Sequence, residues 1–233
     1  HEYGRHEMEE ILGDRVTTSA YTLTPGVSPD ELMEQAAADG AEVIIGTTTD
    51  LIFACHRMAV KHPRLYVLNC SVYYPYASVR SYSMRDYEGK FIAGAIAGAM
   101  AGGSPVGYVA SYPAFGVMAG INAFALGCAM TNPTAKVILK WHCLPGDPVS
   151  ELFGQGARII SNHSIPLADV QSADFGTWRA EPDGSPTILA SPVRKWGEFY
   201  AKLIDEIIET GWLSSNEKAG DRAVNYWWGI KSG

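Results

Sequence analysis

The stretch YEGKFIAGAIAGAMAGGSPVGYVA, Tyr87 to Ala110, decides the fold. It opens just after Arg85-Asp86, passes from Phe91 into small apolar residues, and turns at Gly102-Gly103-Ser104-Pro105. PVGYVA, Pro105–Ala110, then reads as a short buried strand. The apolar run ends at Gly103, short of the about 20 residues that a membrane span needs. Gly94-x-x-x-Gly98 therefore reads as a helix packed closely on a sheet, and not as a membrane dimer motif. A long helix over Arg85–Ala101 that feeds a short apolar strand is the repeating step of a parallel sheet with helices on its faces.

The same step recurs outward in both directions. Upstream, residues 1–12 read as a helix, Arg15–Leu23 alternates like a strand, and Ser28-Pro29-Asp30-Glu31 carries a helix start that runs to Gly40. Glu42–Gly46 is a strand, Asp50–Lys61 a helix, and Leu65–Asn69 and Val79–Met84 are strands. Downstream, a helix over Ala114–Met130 stops at Asn132-Pro133 and leads to strands at Lys136–Trp141 and Arg158–Ser161. Short strands at Phe175–Arg179 and Thr187–Ala190, an amphipathic helix over Arg194–Thr210 and a late strand at Val224–Ile230 complete the chain. Two successive runs of this α/β pattern predict two doubly wound parallel-sheet lobes. Lobe 1 takes residues 1–103 and lobe 2 takes 104–190. Residues 191–233 return to lobe 1 as a helix and a strand. Ligands of such sheets sit beyond the carboxyl ends of the strands.

Composition narrows the function. The 233 residues are 47% hydrophobic, enough to bury a core, and carry a net charge of −7. Lys and Arg form no stripe, so no nucleic acid is expected as a partner, and a neutral solute fits this charge best. The cysteines, Cys55, Cys70, Cys128 and Cys143, fit no C-x-x-C spacing, and the first three read as buried thiols. His1-Glu2-x-x-x-His6 places its histidines five apart, which a helix turns to different faces, so no metal is expected. His142-Cys143 with His163 lacks a recognisable oxyanion donor, and no nucleophile elbow, phosphate loop or dinucleotide fingerprint follows a strand. No cofactor is implied, and an enzyme is the least supported class.

Aromatic residues near strand ends (Tyr73, Tyr74, Tyr76, Tyr112, Phe115, Trp141, Phe175, Trp178, Trp227 and Trp228) include candidates for stacking on a flat heterocycle. Trp196, at a helix start, is a candidate to face a cleft. Asp86 is either a partner of the helix dipole or an acceptor for ligand hydroxyls.

Several blocks, in order, resemble the basic membrane protein family of lipoproteins. They are YEGKFIAGAIAGAM (87–100), VGYVASYP (106–113), GINAFALG (120–127), Asn132-Pro133, WGEFY (196–200) and WWGIKSG (227–233). The resemblance implies a type I periplasmic-binding-protein-like fold of two lobes with ligand in a hinge cleft. It implies an extracytoplasmic, membrane-anchored substrate-binding component that captures a purine nucleoside or purine base for an ABC transporter permease. It places ligand-binding positions at Thr48, Thr49 and Asp50, at Asp86, at Pro113 and Phe115, at Asn162 and His163, and at Arg194 and Trp196. The family's Gly-x-Asp segment falls on Phe175-Gly176-Thr177-Trp178, where Trp178 is the candidate contact. The family's opening strand is expected ahead of His1 and its final strands after Gly233. Closure is expected about Gly102–Pro105 and Ser191-Pro192. The alternative reading is a ligand-sensing domain of a larger receptor or regulator with the same fold.

Overall fold

The computed structural model describes residues 1–71, 78–162, 176–211 and 224–232. The helices are α1 (Glu2–Leu12), α2 (Pro29–Ala38), α3 (Ile52–Lys61), α4 (Asp86–Met100), α5 (Phe115–Thr131), α6 (Pro148–Gly154) and α7 (Trp196–Thr210). The strands are β1 (Val43–Gly46), β2 (Tyr66–Cys70), β3 (Arg80–Met84), β4 (Val106–Ala110), β5 (Val137–Trp141), β6 (Ile159–Asn162), β7 (Thr177–Ala180), β8 (Pro186–Ala190) and β9 (Asn225–Trp228). Two compact units result: His1–Met84 joined by Lys195–Gly233, and Arg85–Arg194.

This division corrects the boundary expected at Gly103. The chain passes between units at Met84/Arg85 and at Arg194/Lys195, so the Gly102–Pro105 turn and Ser191-Pro192 both lie inside the second unit. The cause is α4. Its Ala93, Ala97 and Ala101 share one core with Val106, Tyr108, Phe124 and Cys128. Periodicity shows that a helix has a buried face, but not which sheet covers it.

The first unit holds a parallel sheet of order β1-β2-β3-β9. Consecutive residues of a strand point to opposite faces. Leu68 joins Met8, Leu12, Tyr82, Phe199 and Leu203 under α1 and α7. Val67 joins Met33, Ile44, Ile52 and Met58 under α2 and α3. Ser28 caps α2 by accepting from the Asp30 amide, and Glu31 accepts from the Ser28 amide. Residues 16–23 form no strand, contrary to their alternation. Val16 is extended, but among the described residues β1 pairs with β2 alone. An alternating sequence becomes a strand only beside an edge that supplies its hydrogen bonds.

The second unit holds a five-stranded sheet of order β5-β4-β6-β7-β8. β5, β4 and β6 are parallel, as expected. β7 and β8 add an antiparallel hairpin. Its turn, Glu181–Ser185, is too short for a crossover, and Asp183 accepts from the Ser185 amide within it. Central β4 is buried along its whole length. One of its faces meets α4 and α5, and the other packs through Val109 on Leu152, Ala157, Ile160 and Trp178. Helices α4 and α5 touch backbone to backbone: a Cβ on Gly94 would run into the carbonyl of Phe124, and one on Gly127 into that of Phe91. The Gly94-x-x-x-Gly98 motif thus packs a helix chiefly against a helix. Among the described residues no helix is long and apolar enough to cross a membrane.

Candidate ligand-binding site

In the first unit the loop after β1 carries Thr48, Thr49 and Asp50, all exposed. Its shape is set from beneath by Asn69, a fully buried residue of β2. Asn69 Nδ2 donates to the Thr48 carbonyl at 2.8 Å, and Thr49 Oγ1 donates to the Cys70 carbonyl at 3.3 Å. A side chain on Gly46 would meet Cys55 Sγ at 2.7 Å and Asn69 Nδ2 at 2.8 Å, so glycine is required for this close approach. Burial pushes the Cys55 thiol up to about 12. Cys55 is thus an inert packing group, like buried Cys128, whereas Cys70 is half-buried and Cys143 exposed.

In the second unit Asp86 and Arg194 meet where α4 begins, and Asn162 ends β6. Asp86 opens α4, and Arg194 grips it with two parallel bonds: Nε to Oδ1 at 3.0 Å and Nη2 to Oδ2 at 2.5 Å. Both side chains are about one-third exposed or more, so the pair adds little to stability. Its bidentate geometry instead fixes how the carboxylate points. The crossing segment is seated on the same helix, because Gly89 leaves room for Pro192: a Cβ there would meet Pro192 Cβ at 2.8 Å.

One turn further along α4, Lys90 lies buried at 3% exposure. Its Nζ donates to the Asn162 carbonyl at 2.5 Å and to Ser161 Oγ at 3.4 Å, and sits 5.4 Å from the centre of the Tyr108 ring. Ser161 Oγ also accepts from Thr177 Oγ1 at 2.9 Å. Burial lowers the Lys90 ammonium to about 8, against a raising influence from Asp86. Burial raises the Tyr108 phenol, and Asp86 raises it further. The Asn162 amide donates to the carbonyl of Gly176 at 2.7 Å. Gly176 holds φ +71°, and a Cβ there would also strike the Ala190 carbonyl oxygen at 2.6 Å.

Two of the aromatic candidates are core residues. Trp178 packs edge-on to Phe153, with ring centres 5.9 Å apart, and is 7% exposed. Trp196 is stacked between His1 at 4.5 Å and Tyr200 at 5.8 Å, and is 6% exposed. Their large apolar rings found covering helices and strands that sequence position did not reveal. Phe115 begins α5. His163, Phe175 and the tyrosines at 73, 74 and 76 lie outside the described residues. Among the described residues no three His, Cys, Asp or Glu side chains could hold a metal ion. Sequence reasoning missed Lys90, Ser161, Thr177 and Asn69. Lys90 did leave a signal: it is the one charge in GKFIAGAIAGAM, at i, i+3, i+4, i+7 spacing with the small residues of the buried face.

A family model described as ABC transporter substrate-binding protein, PnrA-like, matches residues 17–146. A purine-binding protein of Brucella abortus is 29% identical over all of this chain and 68% of its own length. A protein of Haloferax volcanii named as an ABC transporter glucose-binding protein is 26% identical over all of this chain and 60% of its own length. An ABC transporter solute-binding protein of Aeropyrum pernix superposes with a TM-score of 0.68 at 14% identity, covering all of this chain and 69% of that one. This last likeness shows the fold, a type I periplasmic-binding-protein-like α/β architecture with parallel sheets.

Proposed function

We propose that this chain, which belongs to the PnrA-like family of ABC transporter substrate-binding proteins, captures a purine nucleoside or purine base outside the cytoplasm for an ABC permease. The observation that carries this reading is the oriented carboxylate at the carboxyl end of the second unit's sheet. A carboxylate has about four acceptor positions. Arg194 takes two, one on each oxygen. The other two suit the paired hydroxyls of a ribose. Arg194 then serves by orienting Asp86, not by touching ligand, and the pair together is neutral, which suits an uncharged solute. The purine-binding relative supports the same ligand class. Asn162, Phe115 and His163 are proposed as further contacts in this unit, and Thr48, Thr49 and Asp50 are each proposed as ligand-binding residues of their own unit. The work asked of these groups is binding, and no pair of them suggests a catalytic step. Membrane anchoring as a lipoprotein belongs to the same proposal.

Thermal unfolding with purine and pyrimidine nucleosides, free bases and glucose tests it. A ligand at about 100 times its Kd stabilises the folded state by roughly 2.7 kcal/mol. Stabilisation by purine nucleosides or bases is expected. Stabilisation by glucose alone would transfer the site to sugars, as the name of the haloarchaeal relative suggests for that protein. No stabilisation by any of them would overturn the ligand class.

A further inference from the structure

We propose that Lys90 is a positioning residue of the binding site: its buried ammonium, bonded to the Asn162 carbonyl and the Ser161 hydroxyl one turn beyond the Asp86–Arg194 pair, fixes the end of β6 against the start of α4. The role rests on the ligand reading above, but its geometry is that of the second unit's own side chains.

Burying an ammonium costs several kcal/mol unless partners meet it. Here the partners come from separate elements. From β6 come the Asn162 carbonyl and the Ser161 hydroxyl. From β4 comes the face of Tyr108, and from β7 comes Thr177, which donates to Ser161. Asp86 on α4 favours the charged form, and Arg194 from the crossing opposes it. α5 carries no Asp, Glu, Lys, Arg or His, and its Gly120 leaves room beside the lysine stem, where a Cβ would lie 3.7 Å from Lys90 Cγ. Lys90 therefore spans from α4 to the end of β6.

The consequence falls on Asn162. Its amide is held by Gly176 and its carbonyl by Lys90. Both backbone groups of the residue that ends β6 are thus committed, which fixes where its buried side chain, 7% exposed, is held. The bond to the carbonyl is strong because the donor is charged. It weakens once Lys90 releases its proton near pH 8. A merely space-filling residue would show no such dependence.

The test has two readouts on the intact chain. In the ligand-free protein, the carbonyl carbon-13 resonance of Asn162 is followed by NMR from pH 6 to pH 10. The second readout is inosine affinity by calorimetry at pH 6.5 and pH 9.5, for wild type and Lys90→Met. The proposal expects the wild-type carbonyl signal to titrate near pH 8. It also expects inosine affinity to fall at least fivefold between the two pH values, and Lys90→Met to bind at least tenfold more weakly at pH 6.5 with no pH step. If the carbonyl titrates but wild type binds no inosine, the positioning stands and the purine reading fails. If the carbonyl does not titrate, or folded Lys90→Met matches wild type in affinity and pH profile, the proposal is overturned. Should Lys90→Met not fold, the wild-type carbonyl titration decides alone.

Discussion

Replacing Gly94 with alanine adds one methyl group where two helical backbones meet. A Cβ at that position would lie 2.8 Å from the carbonyl carbon of Phe124 and 2.9 Å from its Cα, and closer still to the carbonyl oxygen. Ordinary carbon contacts lie at about 3.5–4.0 Å, so α4 and α5 must part by most of an ångström. The obstacle is backbone, not the tip of a flexible side chain, so it cannot swing aside. Overpacking of this kind costs roughly 1–3 kcal/mol, and the upper end applies because both helices also pack on β4. Alanine returns at most about 1 kcal/mol of helix propensity. The net expectation is a loss of about 2 kcal/mol, or roughly 4–8 °C in Tm for a chain of this length. Thermal unfolding followed by far-ultraviolet circular dichroism measures it. Gly116→Ala is the control: it lies on α5, and a Cβ there meets nothing within 4 Å, so Tm should hold or rise. If Gly94→Ala melted at or above wild type, the helices would have room between them, and the close-approach argument would be wrong.

Other expectations follow from the second unit's polar groups. Asp86→Ala should weaken a purine nucleoside at least tenfold more than its free base in calorimetric titrations, and equal losses would remove the ribose role. Arg194→Met should weaken the nucleoside by a smaller factor, because Asp86 remains but is no longer oriented; a loss exceeding that of Asp86→Ala would mean that Arg194 itself touches ligand. Lys90 is held at about 8 when folded against an ordinary 10.5, so the unfolded chain binds more protons over that interval and stability rises with pH across it. Denaturant unfolding should show wild type gaining on Lys90→Met by up to roughly 3 kcal/mol between those limits, and a flat difference would contradict the buried charge. Thiol titration of the native protein should modify exposed Cys143 first and leave buried Cys55 and Cys128 to unfolding; early reaction of Cys55 would contradict its burial.

Local signals carried most of the architecture. The Ser28–Glu31 capping box, the short apolar strands around Ile44, Val67 and Val109, and the Asn132-Pro133 stop all act within a few residues, and each element formed where its pattern lay. What escaped was set by distant partners. Asp86 and Arg194 are 108 positions apart, and each alone looks like a surface charge. α4 changed units because Phe124 and Tyr108 cover it. Residues 16–23 alternate correctly but find no edge. Trp178 and Trp196 carry the ring chemistry expected of a binding site, yet chemistry alone does not distinguish a ring that meets ligand from one that meets Phe153 or Tyr200. Lys90 was legible in principle, as a charge on the small-residue face of a helix, but its meaning depends on Asn162 at the end of another strand.

The interrupted path of the first unit has a consequence for biosynthesis. Its β3 pairs with β9 in register, Ser81 beside Asn225 and Met84 beside Trp228, and the whole second unit is threaded between them. The second unit is one continuous run and can close while still leaving the ribosome. The first cannot: β3 waits with one side unpaired until β9 has been translated. At typical elongation rates that interval is on the order of ten seconds. During it an exposed strand is open to wrong partners, so the hazardous window in making this protein opens early and lasts through the synthesis of the whole inserted unit.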